Sequence, residues 1–488
     1  MQTATENKPT YDELIAENQF LRNEIASLKR LIFGQKRERY APIESPDQLA
    51  FFKTEPKETS ENKFENISYT RKKRSKQQTP HSRKPLPSHL PRKEIVIEPE
   101  EDTTEMKKIG EEITEELEYK PGTLYVNRYI RPKYALPEDE GVIIGSLPSR
   151  PIEKGIAGPG LLAHILISKY VDHLPLYRQG KQFKRQGIEL SKSTLYGWVK
   201  ASSELLVPLH EAQKSQVLES DYIMADETPI RVLDPDLKPG RTHQGYYWVY
   251  YAPLKGAVFF DYRETRSRAG PNEILKDFEG YLQADGYTGY DEISQKKKVT
   301  AVGCMAHARR HFVESKDSDK ERSEWMLSTI QELYDIERDA REGNLSSDER
   351  YQLRQEKAVP ILKSIKDWLD KESIKVLPKS VVGKAIGYML NQWSRLKEYV
   401  TDGRLEIDNN LVENAIRPVA LGRKNYLFAG SHEGANRAAM IYSFVANAQL
   451  QGVEPFAYLR DVLDRISDYP HKQINDLLAC NWEIPSLE

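Results

Sequence analysis

The stretch YIMADETPIRV, residues 222–232, is apolar except near its centre, where Asp226 and Glu227 stand side by side. An ionised carboxylate without a partner is among the costliest groups to bury, so acids inside an apolar run point to work done with charge. Side chains alternate along a strand, which sends the two acids to opposite faces and leaves Glu227 a supporting role or none. A second acid, Asp285, stands at the end of a short strand in YLQADGYTGYD. Two carboxylates brought together repel and raise each other's pKa unless a divalent cation neutralises them. The alternative for Asp226 is a solvent-exposed strand end. A third ligand is expected from a later helix, and RLEIDNNLVENAIRPVALGRKNYLFAG (404–430) supplies Glu413. Arg417 lies four residues on along the same face, followed by Arg423 and Lys424, so phosphate-binding groups surround a carboxylate. Pro418 is expected to end or kink that helix just after Arg417. Asp408 competes with Glu413 but, lying before the helical run, suits an N-cap.

The elements that must position these acids follow from pattern. Strands are expected at 221–232, 245–252 and 256–263 as an antiparallel meander. A helix near 270–279, the strand ending in Asp285 and Gly286, the strand VTAVG and the helix CMAHARRHF come next. This order predicts an α/β catalytic core with a ribonuclease-H-like mixed sheet, its fourth strand parallel beside the first after a right-handed crossover. Asp226 and Asp285 then become neighbours. Residues 312–400 read as an α-helical insertion with Trp325, Leu333, Ile336, Leu353, Ile361, Leu362, Ile365, Trp368 and Leu369 as apolar contacts. Cys304, His307 and His311 have helical metal-ligand spacing but no evident fourth ligand; a buried Cys304, with Arg309 and Arg310 facing DNA or an acidic partner, is the expectation.

Upstream, LPLYRQGKQFKRQGIELSKSTLYGWVKASSELL (174–206) has helix-turn-helix rhythm, with a turn at Gly187–Leu190 and a second helix starting at Ser191 or Ser193. Residues 153–200 hold eight Lys or Arg against three acids, as a phosphate-facing surface requires. Lys184, Arg185, Ser191, Lys192, Ser193 and Tyr196 are the expected DNA contacts; an ordinary packed helix pair is the alternative. Residues 11–32 fit a heptad frame with Asn18 at a core position, predicting a short dimeric coiled coil, or else an amphipathic helix packed on its own chain. The domain expectation is a coiled-coil helix (1–40), a basic disordered linker (41–93), a small β-rich module (94–150) and a helix-turn-helix domain (151–215). The catalytic domain (216–430, with its insertion) and a C-terminal helical segment (431–488) complete it.

The 488 residues carry a net charge of -2, but residues 67–93 hold nine Lys or Arg and no acid, and residues 94–118 hold eleven acids against two Lys. The basic run could meet DNA phosphates or remain a solvated tail. No stretch approaches the apolar length of a membrane span, no secretion signal opens the chain, and two cysteines give no disulfide framework. A cytoplasmic protein without a membrane partner is expected.

ADETP (225–229), ADGYTGY (284–290), GCMAHARRHF (303–312), DNNLVENAIRP (408–418), GRKNYLFAGS (422–431) and GVEPFAYLRDVL (452–463) occur in this order. Together with the N-terminal LIFGQKRERY they resemble the transposases of the insertion-sequence 66 family, over almost the whole chain. The resemblance implies a DDE transposase in which Asp226, Asp285 and Glu413 hold two Mg²⁺ or Mn²⁺ ions. It implies nicking of DNA at the element's terminal inverted repeats, followed by attack of the freed 3′ hydroxyl on target DNA. A homodimer or higher multimer, and accessory proteins of the same element, are the implied partners. Family members usually carry a Cys-rich zinc-finger-like segment before the helix-turn-helix. Residues 94–150 contain no Cys or His, so a zinc-free remnant is expected there.

Overall fold

A computed structural model describes residues 122, 124–130, 133–135, 142–144, 149–153, 155–238 and 241–483. Residues 38–147 and residues 148–488 fall into separate compact units. In the first, β1 (Lys133–Ala135) pairs antiparallel with β2 (Val142–Ile144). The coiled coil, the basic linker and most of the β-rich module expected from sequence lie outside the described residues.

The second unit is built round a mixed five-stranded sheet of β3 (Tyr222–Val232), β4 (His243–Ala252), β5 (Ala257–Arg263), β6 (Gly280–Gln283) and β7 (Val299–Val302). Its spatial order is β5-β4-β3-β6-β7. β3, β4 and β5 form the expected meander, while β6 lies parallel to β3 and β7 parallel to β6. Period-two alternation divides the strands between two cores. Tyr222, Met224, Ile230, Tyr247, Val249 and Phe260 face one, and Ile223, Ala225, Trp248, Tyr250 and Phe259 the other. The outer edge of β5 does not offer a free ladder. Its Val258 N–H donates to Asn447 Oδ1 (3.0 Å) and its Phe260 N–H to Ser443 Oγ (2.9 Å), both from a covering helix.

The helices preceding the sheet are α1 (Pro159–Tyr170), α2 (Leu176–Arg185), α3 (Lys192–Leu205) and α4 (Val207–Leu218). The α2–turn–α3 segment has the expected rhythm. Gly187 takes φ 84°, a conformation that favours glycine, and Ser191 is the N-cap of α3, accepting the Thr194 N–H at 3.0 Å. After the meander comes α5 (Ala269–Ile274), shorter than the expected 270–279. It is followed beyond β7 by α6 (Met305–Ser315).

The insertion comprises α7 (Lys320–Glu342), α8 (Ser347–Leu353), a π-helical turn at Arg354–Ala358, α9 (Val359–Ser373) and α10 (Val381–Asn391). Leu333, Ile336, Leu362, Ile365 and Leu369 are buried in it, and Trp325 stacks on Trp368 at 4.7 Å between ring centres. Its polar core is Arg354, fully buried, whose Nε and Nη2 donate to the two Glu337 carboxylate oxygens at 2.8 and 2.9 Å. The same guanidinium donates to the carbonyls of Tyr399, Asp402 and Leu405 at 2.7, 2.8 and 2.7 Å. It therefore ties the insertion to the segment that leads back to the sheet.

The chain closes with α11 (Asn410–Tyr426), α12 (His432–Leu450) and α13 (Pro455–Arg465). Pro418, expected to end or kink the helix, does not end α11, which continues through it to Tyr426. An interior proline costs about 3 kcal/mol. Burial of Val412, Ile416 and Val419 against the sheet contributes about 1.5–3 kcal/mol per side chain, enough to carry the helix past it. The α2–α3 pair shares its hydrophobic core with the sheet and with α12 and α13, through Leu176, Phe183, Leu195 and Trp198. No helix among the described residues is long and apolar enough to cross a membrane.

Candidate active site

The two acids of β3 separate as strand alternation requires. Glu227 joins the second core face, where its side chain is only 2% exposed. Arg266 donates to Glu227 Oε1 from Nε at 2.8 Å, and Tyr290 Oη donates to Oε2 at 3.2 Å. Burial raises the Glu227 carboxyl, with Arg266 opposing it. Asp226 lies on the other face, and among the described residues its Oδ1 accepts only the Glu227 N–H, at 2.8 Å. Burial pushes its carboxyl well above the ordinary range, and the charges of Glu227, Asp285 and Glu413 push it the same way.

Asp285 comes two residues after β6. The parallel register sets Met224 opposite Gln283, and carried two residues further the same register sets Asp226 opposite Asp285. The turn that follows is held on three sides. Tyr287 N–H donates to Asp285 Oδ1 at 2.9 Å, Tyr388 Oη donates to the Asp285 carbonyl at 2.5 Å, and Gly286 takes φ 91°. The backbone there favours glycine, and a Cβ on Gly286 would stand 2.9 Å from the Gln392 amide, which would have to move aside. The Arg266 guanidinium also lies over the Tyr287 ring, 4.1 Å from its centre. The cation that neutralises Glu227 thus braces the Asp285 turn as well.

Glu413 sits in the first turn of α11 and returns to these strands across the whole insertion. Buried Gln283 makes the return possible. It accepts from Tyr222 Oη at 2.5 Å, and its Nε2 donates to the carbonyls of Gly303 and Glu406, each at 2.9 Å. Met305 N–H donates to the Ile407 carbonyl at 3.1 Å, so the two ends of the insertion are joined beside β6. Asp408 caps this entry to α11, accepting the Asn410 N–H at 3.1 Å and Tyr334 Oη at 2.8 Å, although the N-cap position itself is Asn409. Glu413 Oε1 is buried without a hydrogen-bond partner and stands 3.8 Å from His307 Nε2. Burial raises the Glu413 carboxyl; Arg310 opposes this, and Asp408 and Asp285 add to it.

Among the described residues, none of Asp226, Asp285 and Glu413 has a Lys or Arg ion pair. Two raised carboxyls, an orphaned carboxylate oxygen and an all-oxygen acidic set are the donor chemistry that a hard divalent cation satisfies. The three nevertheless do not form a closed cage. No group of three or more His, Cys, Asp or Glu among the described residues stands close enough to hold an ion between them. The same holds for Cys304, His307 and His311, and Cys304 is buried as expected.

The other expected DNA contacts are distributed over three elements. Lys184, Arg185, Ser191, Lys192, Ser193 and Tyr196 are all exposed on α2, the turn and α3, and Lys184 pairs with Glu189 at 3.1 Å. On α6, Arg310 is exposed and Arg309 half-buried. On α11, Arg417 and Lys424 are exposed, whereas Arg423 is half-buried and donates to the Pro229 carbonyl of β3. Arg266, Tyr287, Tyr290 and Gln283 were not singled out by sequence. The tyrosines lie inside the ADGYTGY motif, but nothing local marks Arg266 or Gln283 as their partners.

The fold defines an α/β protein in which two parallel strands and a returning helix each carry a candidate acid. The model described as Transposase IS66 family matches residues 154–437 of this chain, and the IS66 C-terminal element matches residues 443–479. Transposase C of IS166 homeodomain matches residues 21–95. The zinc-finger binding domain of transposase IS66 matches residues 100–136, a stretch without Cys or His. Three proteins of Sinorhizobium fredii (strain NBRC 101917 / NGR234) are similar along nearly the full length. Uncharacterized protein y4jD is 33% identical, over 95% of this chain and 94% of its own. Uncharacterized protein y4hP is 32% identical over 94% and 88%, and uncharacterized protein y4qI 33% over 93% and 87%. The chain belongs to the IS66 family of transposases.

Proposed function

We propose that this transposase is a DDE enzyme with a ribonuclease-H-like core, cutting the ends of an insertion sequence and joining the freed 3′ hydroxyl to target DNA. The observation that supports it most is geometric: the β3–β6 register, carried two residues on, sets Asp226 opposite Asp285, and the helix that bears Glu413 packs on β3, although 59 and 187 residues separate the two acids from Asp226 in sequence. Asp226, Asp285 and Glu413, which do not close round an ion as they stand, would draw in to hold Mg²⁺ or Mn²⁺, and Glu227, already neutralised by Arg266, would not. When bound, such ions supply Lewis-acid stabilisation of the attacking and leaving oxygens of an in-line displacement at phosphorus.

The chain's own residues do the rest. Burial disfavours the charge of Asp226 and Glu413, so each is stabilised by a proton or by a cation, and a bound divalent ion would compete with the proton and keep both ionised. The Tyr287 N–H and the Tyr388 hydroxyl fix the Asp285 turn, which sets the spacing between the acids. Exposed Lys184, Arg185 and Lys192, with Ser191, Ser193 and Tyr196, present a phosphate-binding face on α2 and α3. Arg310, Arg417 and Lys424 do the same beside Glu413. Two element ends require at least two active sites, for which the heptads at 11–32 provide a dimer contact. Residues 94–150 would fold without zinc bound through Cys or His.

The test is nicking and strand joining by purified protein with Mg²⁺ and duplex DNA from the flanks of the gene. Equal activity of wild type and Asp226→Ala would reject the carboxylate assignment. Cut products without joined strands would make the protein a nuclease rather than a transposase.

A further inference from the structure

Beyond Glu413, α11 carries a stripe of a different kind. Arg417, Ala420 and Lys424 follow Glu413 at helical spacings of four, seven and eleven residues, so they lie along one line of the surface. From Asn414 to Tyr426 the helix holds three cations and no acid. The line ends in two apolar side chains directed to solvent, Leu427 at 65% exposure and Phe428 at 41%.

The backbone beneath them is strained. Leu427 takes φ 61°, ψ -39°, a left-handed position without glycine, and the Phe428 N–H donates to the Tyr426 carbonyl at 2.6 Å across a tight γ-turn. This strained tip is held rigidly. Ala429 pairs beside Val232 at the end of β3, its N–H donating to the Arg231 carbonyl at 2.7 Å and its carbonyl accepting the Leu233 N–H at 2.9 Å. Strain at a rigid, solvent-exposed apolar pair is the pattern of a contact made to something outside the chain.

Two independent paths give its distance from the acids. Fourteen residues along α11 from Glu413 reach Leu427, about 21 Å at the helical rise. Six residues of β3 from Asp226 reach Val232, about 20 Å at the strand rise. A duplex advances about 3.4 Å per base pair, so the tip lies about six base pairs from the acids.

We infer that the Leu427–Phe428 tip contacts the bases of the DNA end, about six base pairs from the cut, with Arg417 and Lys424 on the intervening phosphates. This rests on the transposase reading above. Cations without acids along the stripe match a polyanion, and apolar side chains at its end match base faces or thymine methyls.

The photoreactive analogue benzoylphenylalanine placed at 428, and separately at 424 and 193, in the full-length protein tests this with duplex DNA from the gene's flank. Cross-linking from 428 about six base pairs from the nicked phosphate is expected. Cross-links from 424 and 193 but none from 428 overturn the tip contact and leave the DNA reading intact. No cross-link from any position overturns both. Leu427→Gly, which relieves the backbone, should melt no lower than wild type yet nick about tenfold more slowly at limiting DNA, the scale of one lost base contact. Unchanged nicking by that variant also overturns the proposal.

Discussion

Arg266 donates through Nε to Glu227 Oε1 at 2.8 Å, so of two acids adjacent in one strand only Asp226 is left without a cationic partner. The opposite faces of β3 therefore have opposite electrostatics. One is internally neutralised, and the other keeps a charge deficit that an incoming cation can fill.

Asp226→Asn is expected to reduce nicking by at least about 10²-fold, the effect of removing one preorganised charge. In metal-free buffer at neutral pH the same substitution should raise the melting temperature. The folded-state carboxyl of Asp226 is raised, so stability conferred by its neutral form is lost as pH rises, and an amide removes that loss. Mn²⁺ should raise the melting temperature of wild type more than that of Asp226→Asn, as read by scanning calorimetry.

Arg266→Met should destabilise the fold by about 2–4 kcal/mol, because Glu227 stays buried without its partner. Adding Glu227→Leu should restore most of that loss. Denaturant unfolding of the two single variants and the double gives the coupling. If the brace on Tyr287 matters for Asp285, the stable double variant will still bind Mn²⁺ more weakly than wild type.

Arg354→Met is expected to cost about 3–5 kcal/mol, since it leaves buried Glu337 with Arg350 as its one remaining cation and strips three carbonyls of their donor in the insertion core. Burial alone would raise the Glu337 carboxyl, but hydrogen bonds and charge from Arg354 and Arg350 outweigh it and hold the pKa down. The stability this gives is present above the unfolded carboxyl range and is lost as pH falls through the depressed folded value. Acid titration of wild type and variant by circular dichroism should show a smaller acid-side loss in the variant.

Ser191→Ala removes the N-cap of α3 and should cost about 1 kcal/mol without moving the acids. Lys192→Ala should weaken DNA binding and lower the salt slope of the affinity by about one. Fluorescence anisotropy over a salt series reads both quantities, and Mn²⁺ binding at the carboxylates should be unchanged.

Sequence by itself determined what depends on neighbours a few residues away. The apolar run of 222–232, the Gly187 turn, the Ser191 cap and the insertion's apolar positions are local signals, and the structure has elements at each. The motifs carried the family, and strand alternation alone sent Glu227 away from Asp226. Only the tertiary structure decided that Arg266 neutralises Glu227, that Gln283 draws the end of the insertion to β6, and that α11 runs through Pro418. These outcomes depend on groups tens to more than a hundred residues apart. A guanidinium, a buried amide or an apolar face finds its partner only after the chain has folded back, and such partners leave no periodic trace in the order of residues.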